Sequence, residues 1–201
     1  MGGTTTAESV EHRRPWPVPP PDGYTVDDLF ALPDLPPHTE LIDGSPITVS
    51  PQRNLHADVI GLLVGGLRRS VPKKYGVGRE MTVVLDRRNG PEPEVSVVFA
   101  DAVRGPDRTS YRAQDVVPAI EVVSPDAESR DRTAKPYEYG TAGLPRFRRA
   151  ERDGTDRRPL VHVDELDPLT RSYVHMGMHR DRIKVDKPCT IDIDLAAIDE
   201  L

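Results

Sequence analysis

Residues 117–124, VPAIEVVS, form an apolar run that carries a single acid, Glu121, in its middle. A nearly continuous apolar run of this length predicts a strand that is buried on both faces, as in the centre of an α/β sheet. An unpaired buried carboxylate is destabilising by several kcal/mol, so Glu121 needs a cation, strong hydrogen bonds or a proton. The run therefore predicts an α/β fold class, and Glu121 marks a candidate functional site.

A long helix and two further strands are predicted before this run. Leucine and valine recur at helical spacing over residues 55–70, and Asn54 is expected as the N-cap of that helix. Residues 79–86 and 94–100 are predicted strands, which the turn RRNGPEP joins. The alternation of helix and strand indicates an α/β core.

The segment nearest the N-terminus that shows regular structure starts at Tyr24. Its sequence TVDDLFAL predicts a short helix with Thr25 as N-cap and acids in the first turn. The following TELIDGSPITVS predicts a hairpin, because Asp43 and Gly44 tolerate the positive φ angles of a tight turn.

A second helix is predicted after the apolar run, and its proline places its start. Pro136 is tolerated only in a first helical turn, where its missing N–H has no intrahelical partner. We therefore expect Thr133 as N-cap and an end before Gly143. Lys135 then lies at the helix start, where the helix dipole disfavours a cation, while Tyr137 and Tyr139 are interpreted as packing residues.

These elements predict one α/β domain over residues 24–201, with a mixed central sheet of about five strands flanked by the helices near 55–70 and 133–142. Residues 155–201 are expected to form a β-rich extension of that domain. Residues 1–23 are rich in proline and glycine without periodicity, so a disordered or loosely docked tail is expected there.

Composition narrows the class of protein. The one cysteine, Cys189, excludes an internal disulfide and a zinc site built from several thiolates, and a cytoplasmic location is expected. No apolar run approaches the length of a membrane span. A net charge of −6 argues against a whole surface that grips nucleic acid, although residues 67–79 and 146–158 are basic.

Two interpretations of the strand acids are open from the residues alone. Glu94 and Glu121 each lie in an apolar run, and two such carboxylates together with a third acid can bind Mg²⁺, which prefers hard oxygen ligands. A nearby lysine would then stabilise developing negative charge. Alternatively, Glu121 forms a structural ion pair with Lys135 or Arg132, and Glu94 lies in solvent at a strand end.

The chain resembles the Uma-two type of restriction-endonuclease-like protein, a branch of the PD-(D/E)XK nuclease superfamily, from about Tyr24 to Asp153. The resemblance rests on the segments YTVDDLFALPDLPPHTELIDG, PEPEVSVV and IEVVSPDAESRDRTAKPYEYGTAGLPRF. The last segment is the most specific, because it combines a Glu-Val strand end, an Asp-x-x-x-Lys pair and a Tyr-x-x-x-Gly-x-Pro helix exit. The resemblance implies a restriction-endonuclease-like α/β fold and endonuclease activity on DNA.

The resemblance also implies a site for Mg²⁺ or Mn²⁺. Glu94 and Glu121 match the two motif acids, the main-chain carbonyl of Val122 is a further expected ligand, and Glu40 matches the acid of the N-terminal element. The catalytic lysine is expected at Lys135 on the following helix, rather than two residues after the second acid as in the broader superfamily.

Secondary roles are predicted for three other residues. Asp131 would hold Lys135 in place, while His56 and Arg132 would contact a phosphate of the substrate. For His56 the competing interpretation is a polar neighbour of the helix start.

Two positions depart from the family pattern. Glu94 stands where the family has aspartate, and Arg148 stands where a tryptophan is common. These departures motivate an alternative function, a catalytically inert module of the same fold that binds nucleic acid or a protein partner. A homodimer is also predicted, with the apolar helix at 55–70 as a candidate interface.

Overall fold

The computed structural model describes residues 18–48, 52–154 and 156–201. Of the tail predicted for residues 1–23, residues 1–17 lie outside this described part. The helices are α1 (Val26–Ala31), α2 (Asn54–Ser70), α3 (Ala100–Val103) and α4 (Lys135–Ala142). The strands are β1 (Thr39–Ile42), β2 (Ser45–Thr48), β3 (Tyr75–Arg79), β4 (Thr82–Val84), β5 (Val95–Phe99), β6 (Ser110–Arg112), β7 (Val116–Val122), β8 (Arg146–Arg152), β9 (Pro159–Asp167), β10 (Ser172–His179), β11 (Arg182–Val185) and β12 (Ile191–Asp194).

A six-stranded mixed sheet lies at the centre, with the strand order β10-β9-β8-β7-β5-β3. Strands β7 and β8 run parallel, and the other neighbours in this sheet run antiparallel. Parallel neighbours require a crossover connection, which α4 provides. The predicted mixed α/β sheet flanked by helices is therefore confirmed, with six strands in place of about five.

Strand β7 lies in the middle of this sheet, and all seven of its residues are buried. One face of the sheet packs against α2 and the hairpin formed by β11 and β12. The opposite face packs against α4, where Tyr139 contacts the core residue Phe147. Burial on both faces explains why the sequence of β7 is almost continuously apolar.

Helix α2 covers the sheet with its apolar stripe, which includes the buried Leu63 and Leu67. The stripe faces the core of the same chain, so it does not offer the exposed surface that we considered for a dimer interface. The N-cap prediction was wrong by one residue. Arg53 is the N-cap and makes no side-chain capping bond, and Asn54 is already helical.

The second predicted helix starts earlier than expected. A π-helical turn over residues 130–134 leads directly into α4, so Thr133 is not an N-cap. Pro136 still occupies the first turn of α4, and Gly143 ends the helix with φ of +83°, both as predicted. A wide turn before Pro136 is consistent with the hydrogen bond that proline cannot donate.

The prediction of one strand over residues 79–86 is wrong, because β3 ends at Arg79 and β4 spans only Thr82–Val84. Strand β5 pairs with β3 and β7, whereas β4 pairs in parallel with β6. Glu80 separates β3 from β4 with a positive φ of 48°, which redirects the chain. The residues of the predicted turn instead fold back on β4, where Val83 donates to the carbonyl of Pro91 at 2.8 Å.

The C-terminal residues are rich in strands. Strands β8, β9 and β10 form an antiparallel meander, and β11 pairs with β12 to close over α2. The N-terminal predictions agree with the structure as well, because Thr25 caps α1 and Asp43 and Gly44 form the β1–β2 turn with positive φ angles. In the part of the chain that is described, no helix is long and apolar enough to cross a membrane.

Candidate active site

A buried ammonium group lies among three carboxylates on the floor of a cleft. The Nζ atom of Lys135 lies 2.8 Å from Oε1 of Glu40, 2.9 Å from Oε2 of Glu121 and 3.5 Å from Oδ1 of Asp131. The four residues come from β1, β7, the π-helical turn and the start of α4. All four are buried. Separate stretches of the chain therefore meet at one cation.

The local structure of each element explains this meeting. Asp131 and Lys135 are four residues apart, so they share one side of the helical segment. Helix α4 crosses over the sheet from β7 to β8, which brings Lys135 onto the face of β7 that carries Glu121. The main-chain N–H of Glu92 donates to Oε1 of Glu40 at 2.9 Å and so ties β1 to the segment before β5.

Glu121 has a donor on each of its oxygens. The hydroxyl of Tyr139 donates to Oε1 at 2.6 Å, and Nζ of Lys135 donates to Oε2 at 2.9 Å. The sequence predicted that Tyr137 and Tyr139 both pack, which is wrong for Tyr137 because it is exposed, and the hydrogen bond of Tyr139 was missed. A signal was present, since Tyr139 follows Lys135 by four residues and therefore lies on the same face of α4.

Glu94 lies beside this cluster and directly precedes β5. Its Oε2 accepts a hydrogen bond from the main-chain N–H of Val122 at 2.9 Å, and its Oε1 lies 3.7 Å from Nε2 of His56. The Glu94 side chain is 17% exposed and lines the cleft, whereas Glu121 is fully buried beneath Lys135. Glu94 is therefore the more accessible of the two strand acids.

Burial and charge shift the pKa values of these groups in different directions. Burial alone would lower the pKa of Lys135, but the surrounding carboxylates, Glu121 foremost, outweigh it and raise that pKa well above its usual value. Burial, reinforced by the charge of Glu121, raises the pKa of Glu94 well above its ordinary value and that of Asp131 to about 7. Burial lowers the pKa of His56, which favours its neutral form.

The cleft above this floor has a volume of about 450 Å³, and its lining carries charges of both signs. Glu80 and Glu92 belong to this lining, and so do Arg132 and Arg157. Arg132 is paired with Glu128 at 2.5 Å and with Glu151 at 2.8 Å. A guanidinium group can exchange such a carboxylate for a phosphate.

The donor atoms are carboxylate oxygens, which a hard divalent cation prefers, although an ammonium group already lies among them. Among the described residues, no group of three or more histidine, cysteine, aspartate or glutamate side chains has the arrangement of a metal site. However, one lysine contacts the three carboxylates of Glu40, Glu121 and Asp131, and Glu94 lies close enough to act on it through its charge. In the described part, Oε2 of Glu40 is buried without a hydrogen-bond partner. This excess of acids is what a divalent cation would balance.

Comparison with known proteins assigns the family. The sequence profile of the Uma2 family, described as "Putative restriction endonuclease", matches residues 26–156. The chain belongs to the Uma2 family. This membership supports a nuclease. None of the curated proteins matches the chain at a significant level.

A solved structure shows the same fold. It is described as "a putative nuclease belonging to DUF820" from Anabaena variabilis, and it superposes with a TM-score of 0.60. The alignment covers 88% of this chain and 92% of the other chain, at 16% sequence identity. At that identity the likeness establishes the fold alone, and it agrees with the restriction-endonuclease-like fold expected for a Uma2 protein.

The structure brings most of the predicted site residues to one place. Five acidic and basic side chains gather at or beside the cleft floor, and these are Glu40, Glu94, Glu121, Asp131 and Lys135. His56 and Arg132 line the walls of the same cleft. For Val122, the structure shows its N–H bonded to Glu94. The ion pair of Glu121 with Lys135, one of the two sequence-based interpretations, is present.

Proposed function

We propose that this Uma2 protein is a metal-dependent endonuclease that hydrolyses phosphodiester bonds of DNA. The observation that carries the proposal is the cluster on the cleft floor, where Glu40, Glu121 and Asp131 surround the ammonium group of Lys135. Buried charged groups beneath an open cleft with shifted pKa values are typical of catalytic sites. Membership of the Uma2 family supports the same class of reaction.

Glu94, Glu121 and the main-chain carbonyl of Val122 would hold Mg²⁺ or Mn²⁺. The support is the chemistry of the donors, which are all oxygens, and the surplus of carboxylates over ammonium groups on the cleft floor. A divalent cation bound there would supply positive charge that polarises the phosphodiester and a water molecule.

The protein's own side chains would orient and stabilise the reacting groups. Hydrolysis breaks one P–O bond, places the hydroxyl of water on phosphorus and places its second proton on the leaving oxygen. Lys135 would offset the negative charge that develops on the scissile phosphate, and Glu40 would position the water molecule. Arg132 and His56 would contact phosphate groups from the cleft walls, with Arg132 exchanging a carboxylate partner for a phosphate.

A cleavage assay tests this function. Supercoiled plasmid and single-stranded DNA would be incubated with the protein in Mg²⁺, with EDTA as the metal-free control. We expect cleavage in Mg²⁺ and none in EDTA. We expect the rate in Mg²⁺ to be about 10²–10³-fold lower for Lys135→Ala and for Glu94→Ala. Lys184→Ala, which changes an exposed lysine on β11, is the matched control and should retain the full rate. Equal rates for Lys135→Ala and Lys184→Ala would overturn the proposed role of Lys135.

A non-catalytic module that binds nucleic acid or protein is the second candidate. The observation that favours it is Glu121, whose two oxygens are both occupied by donors of the chain itself. Under this candidate, DNA binding measured by fluorescence anisotropy is the same in Mg²⁺ and in EDTA, and no cleavage is detected. Under the enzyme proposal, Mg²⁺ is required for cleavage.

The predicted homodimer would be measured in the same preparations by sedimentation velocity.

A further inference from the structure

We propose that Lys135 is an internal counter-ion of the metal-free protein, and that a divalent cation competes with its ammonium group for Oε2 of Glu121. This inference rests on the proposed function, because it concerns how the proposed metal site is held when no metal is bound. It assigns Lys135 a task before catalysis, in addition to the charge stabilisation proposed above.

The ammonium group of Lys135 is surrounded by carboxylates. Its ammonium group is buried and touches carboxylate oxygens of Glu40, Glu121 and Asp131 within 3.5 Å. An ammonium ion with three oxygens around it occupies the kind of position that a hard cation takes in a carboxylate site. In this state the chain neutralises its own acids.

The two oxygens of Glu121 differ in how easily they can change partner. Oε1 accepts from Tyr139, whose ring is fully buried against Phe147 and is therefore held in place. Oε2 accepts from Lys135, whose flexible four-carbon stem ends at the floor of the cleft. A competing cation would therefore displace the lysine and leave the tyrosine bond in place.

The buried carboxylates of the cluster require a cation. Removing the cation from buried carboxylates is strongly destabilising, because each is left without compensation. Lys135 therefore stays on the acids until another cation arrives. Once displaced, its ammonium group would extend into the cleft, where the proposed substrate phosphate would lie.

Metal affinity measured without substrate tests the competition. The dissociation constant for Mn²⁺ would be determined by isothermal titration calorimetry for the wild type, for Lys135→Met and for the control Lys184→Met. Methionine keeps the length of the stem and removes the charge. We expect Lys135→Met to bind Mn²⁺ at least about tenfold more tightly than the wild type, because one competitor is gone. Equal or weaker binding by Lys135→Met would overturn the inference.

A measurement on the wild type covers the case in which Lys135→Met does not fold. Amine-directed labelling followed by mass spectrometry reports how accessible each lysine is. We expect Lys135 to be protected in EDTA and to react at least several-fold faster in saturating Mn²⁺, while the exposed Lys184 reacts at one rate in both. A labelling rate at Lys135 that Mn²⁺ leaves unchanged contradicts the displacement.

The outcomes separate this inference from the function on which it rests. Mg²⁺-dependent cleavage together with equal Mn²⁺ affinities for the wild type and Lys135→Met leaves the nuclease proposal standing and overturns the counter-ion role alone. Absence of Mn²⁺ binding in every variant overturns both.

Discussion

At the scale of single residues, Glu121 and its two donors explain how a carboxylate lies inside an apolar strand. Tyr139 and Lys135 each satisfy one oxygen, and the ammonium group compensates the charge. Buried ion pairs are often no more stabilising than apolar side chains of similar volume. The presence of this cluster is therefore not by itself an argument that it stabilises the fold.

The bond from Tyr139 to Glu121 predicts a difference between two tyrosines of one helix. Tyr139→Phe removes a donor from a fully buried carboxylate, and we expect a loss of about 1–3 kcal/mol in the free energy of unfolding. Tyr137→Phe is the matched control, because Tyr137 is 75% exposed. Urea denaturation in EDTA measures both. Equal stability of the two variants would contradict the hydrogen bond.

Glu138, next to Tyr139, predicts a dependence of stability on pH. Burial, reinforced by the carboxylates of Asp43 and Glu40, raises the pKa of Glu138 from 4.5 to about 7. Between these two pH values the unfolded chain loses this proton while the folded protein keeps it, so the free energy of unfolding falls as pH rises through that window. Above it, the contribution is constant.

Glu138→Gln should therefore reduce the fall in stability between about pH 5 and pH 8. Chemical denaturation at several pH values, in EDTA, compares the variant with the wild type and with Glu200→Gln, which changes an exposed acid. If the curves of Glu138→Gln and the wild type are parallel across the window, the raised pKa of Glu138 is contradicted.

At the scale of elements, α2 and α4 each pack against the central sheet and each place a residue at the cleft. Helix α2 packs its stripe on the sheet and on β12, and its first turn lines the cleft with His56. Helix α4 follows a π-helical turn, and such turns are frequent at functional sites. The irregular turn therefore carries Asp131 and leads directly into Lys135.

Two glycines of α2 predict opposite effects of one substitution. Alanine is favoured over glycine in a helix by about 0.5–1 kcal/mol, and a Cβ atom at Gly61 meets nothing within 4 Å. At Gly66 the Cβ atom would lie 2.7 Å from side-chain atoms of the buried Ile193 on β12. We expect Gly61→Ala to raise the melting temperature and Gly66→Ala to lower it, as measured by differential scanning calorimetry. A gain for Gly66→Ala would show that β12 is not packed closely on α2.

At the scale of the whole molecule, the sheet order places the site. Strands β5 and β7 are neighbours, so Glu94 and Glu121 come close, and the β1–β2 hairpin adds Glu40 from one side. The crossover from β7 to β8 adds Lys135. The C-terminal strands contribute to the core rather than to the cleft floor, because β11 and β12 cover α2.

Removal of residues 181–201 should therefore unfold the protein. The segment buries five large aliphatic side chains in the core beneath α2, which are Ile183, Ile191, Ile193, Leu195 and Ile198. Their burial contributes about 7–15 kcal/mol, comparable to the whole stability of a typical domain. Circular dichroism and size-exclusion chromatography measure the outcome. The control deletion removes only residues 200–201, which are exposed. A truncated chain that keeps the oligomeric state of the wild type and unfolds cooperatively would contradict this account of the core.

The parts of the fold that local patterns determine were predictable. The apolar run of β7, the stripe of α2, the cap at Thr25 and the exit at Gly143 each depend on residues close in sequence. The pairing of β5 with β3 was not predictable, because alternation of side chains does not specify a partner strand. The π-helical turn before Pro136 was also missed, because a proline in the first turn is equally compatible with a helix that starts at an ordinary N-cap.

For the site, the sequence by itself determined that Glu94 and Glu121 lie in apolar runs and that Lys135 lies at a helix start, and it left open whether a metal ion or an ion pair compensates the acids. Only the tertiary structure decided that Lys135 contacts Glu40, Glu121 and Asp131 together, and that Tyr139 completes the shell of Glu121. The physical reason is that burial makes a partner obligatory for each buried charge, whereas the choice of partner depends on distances between elements that are remote in sequence.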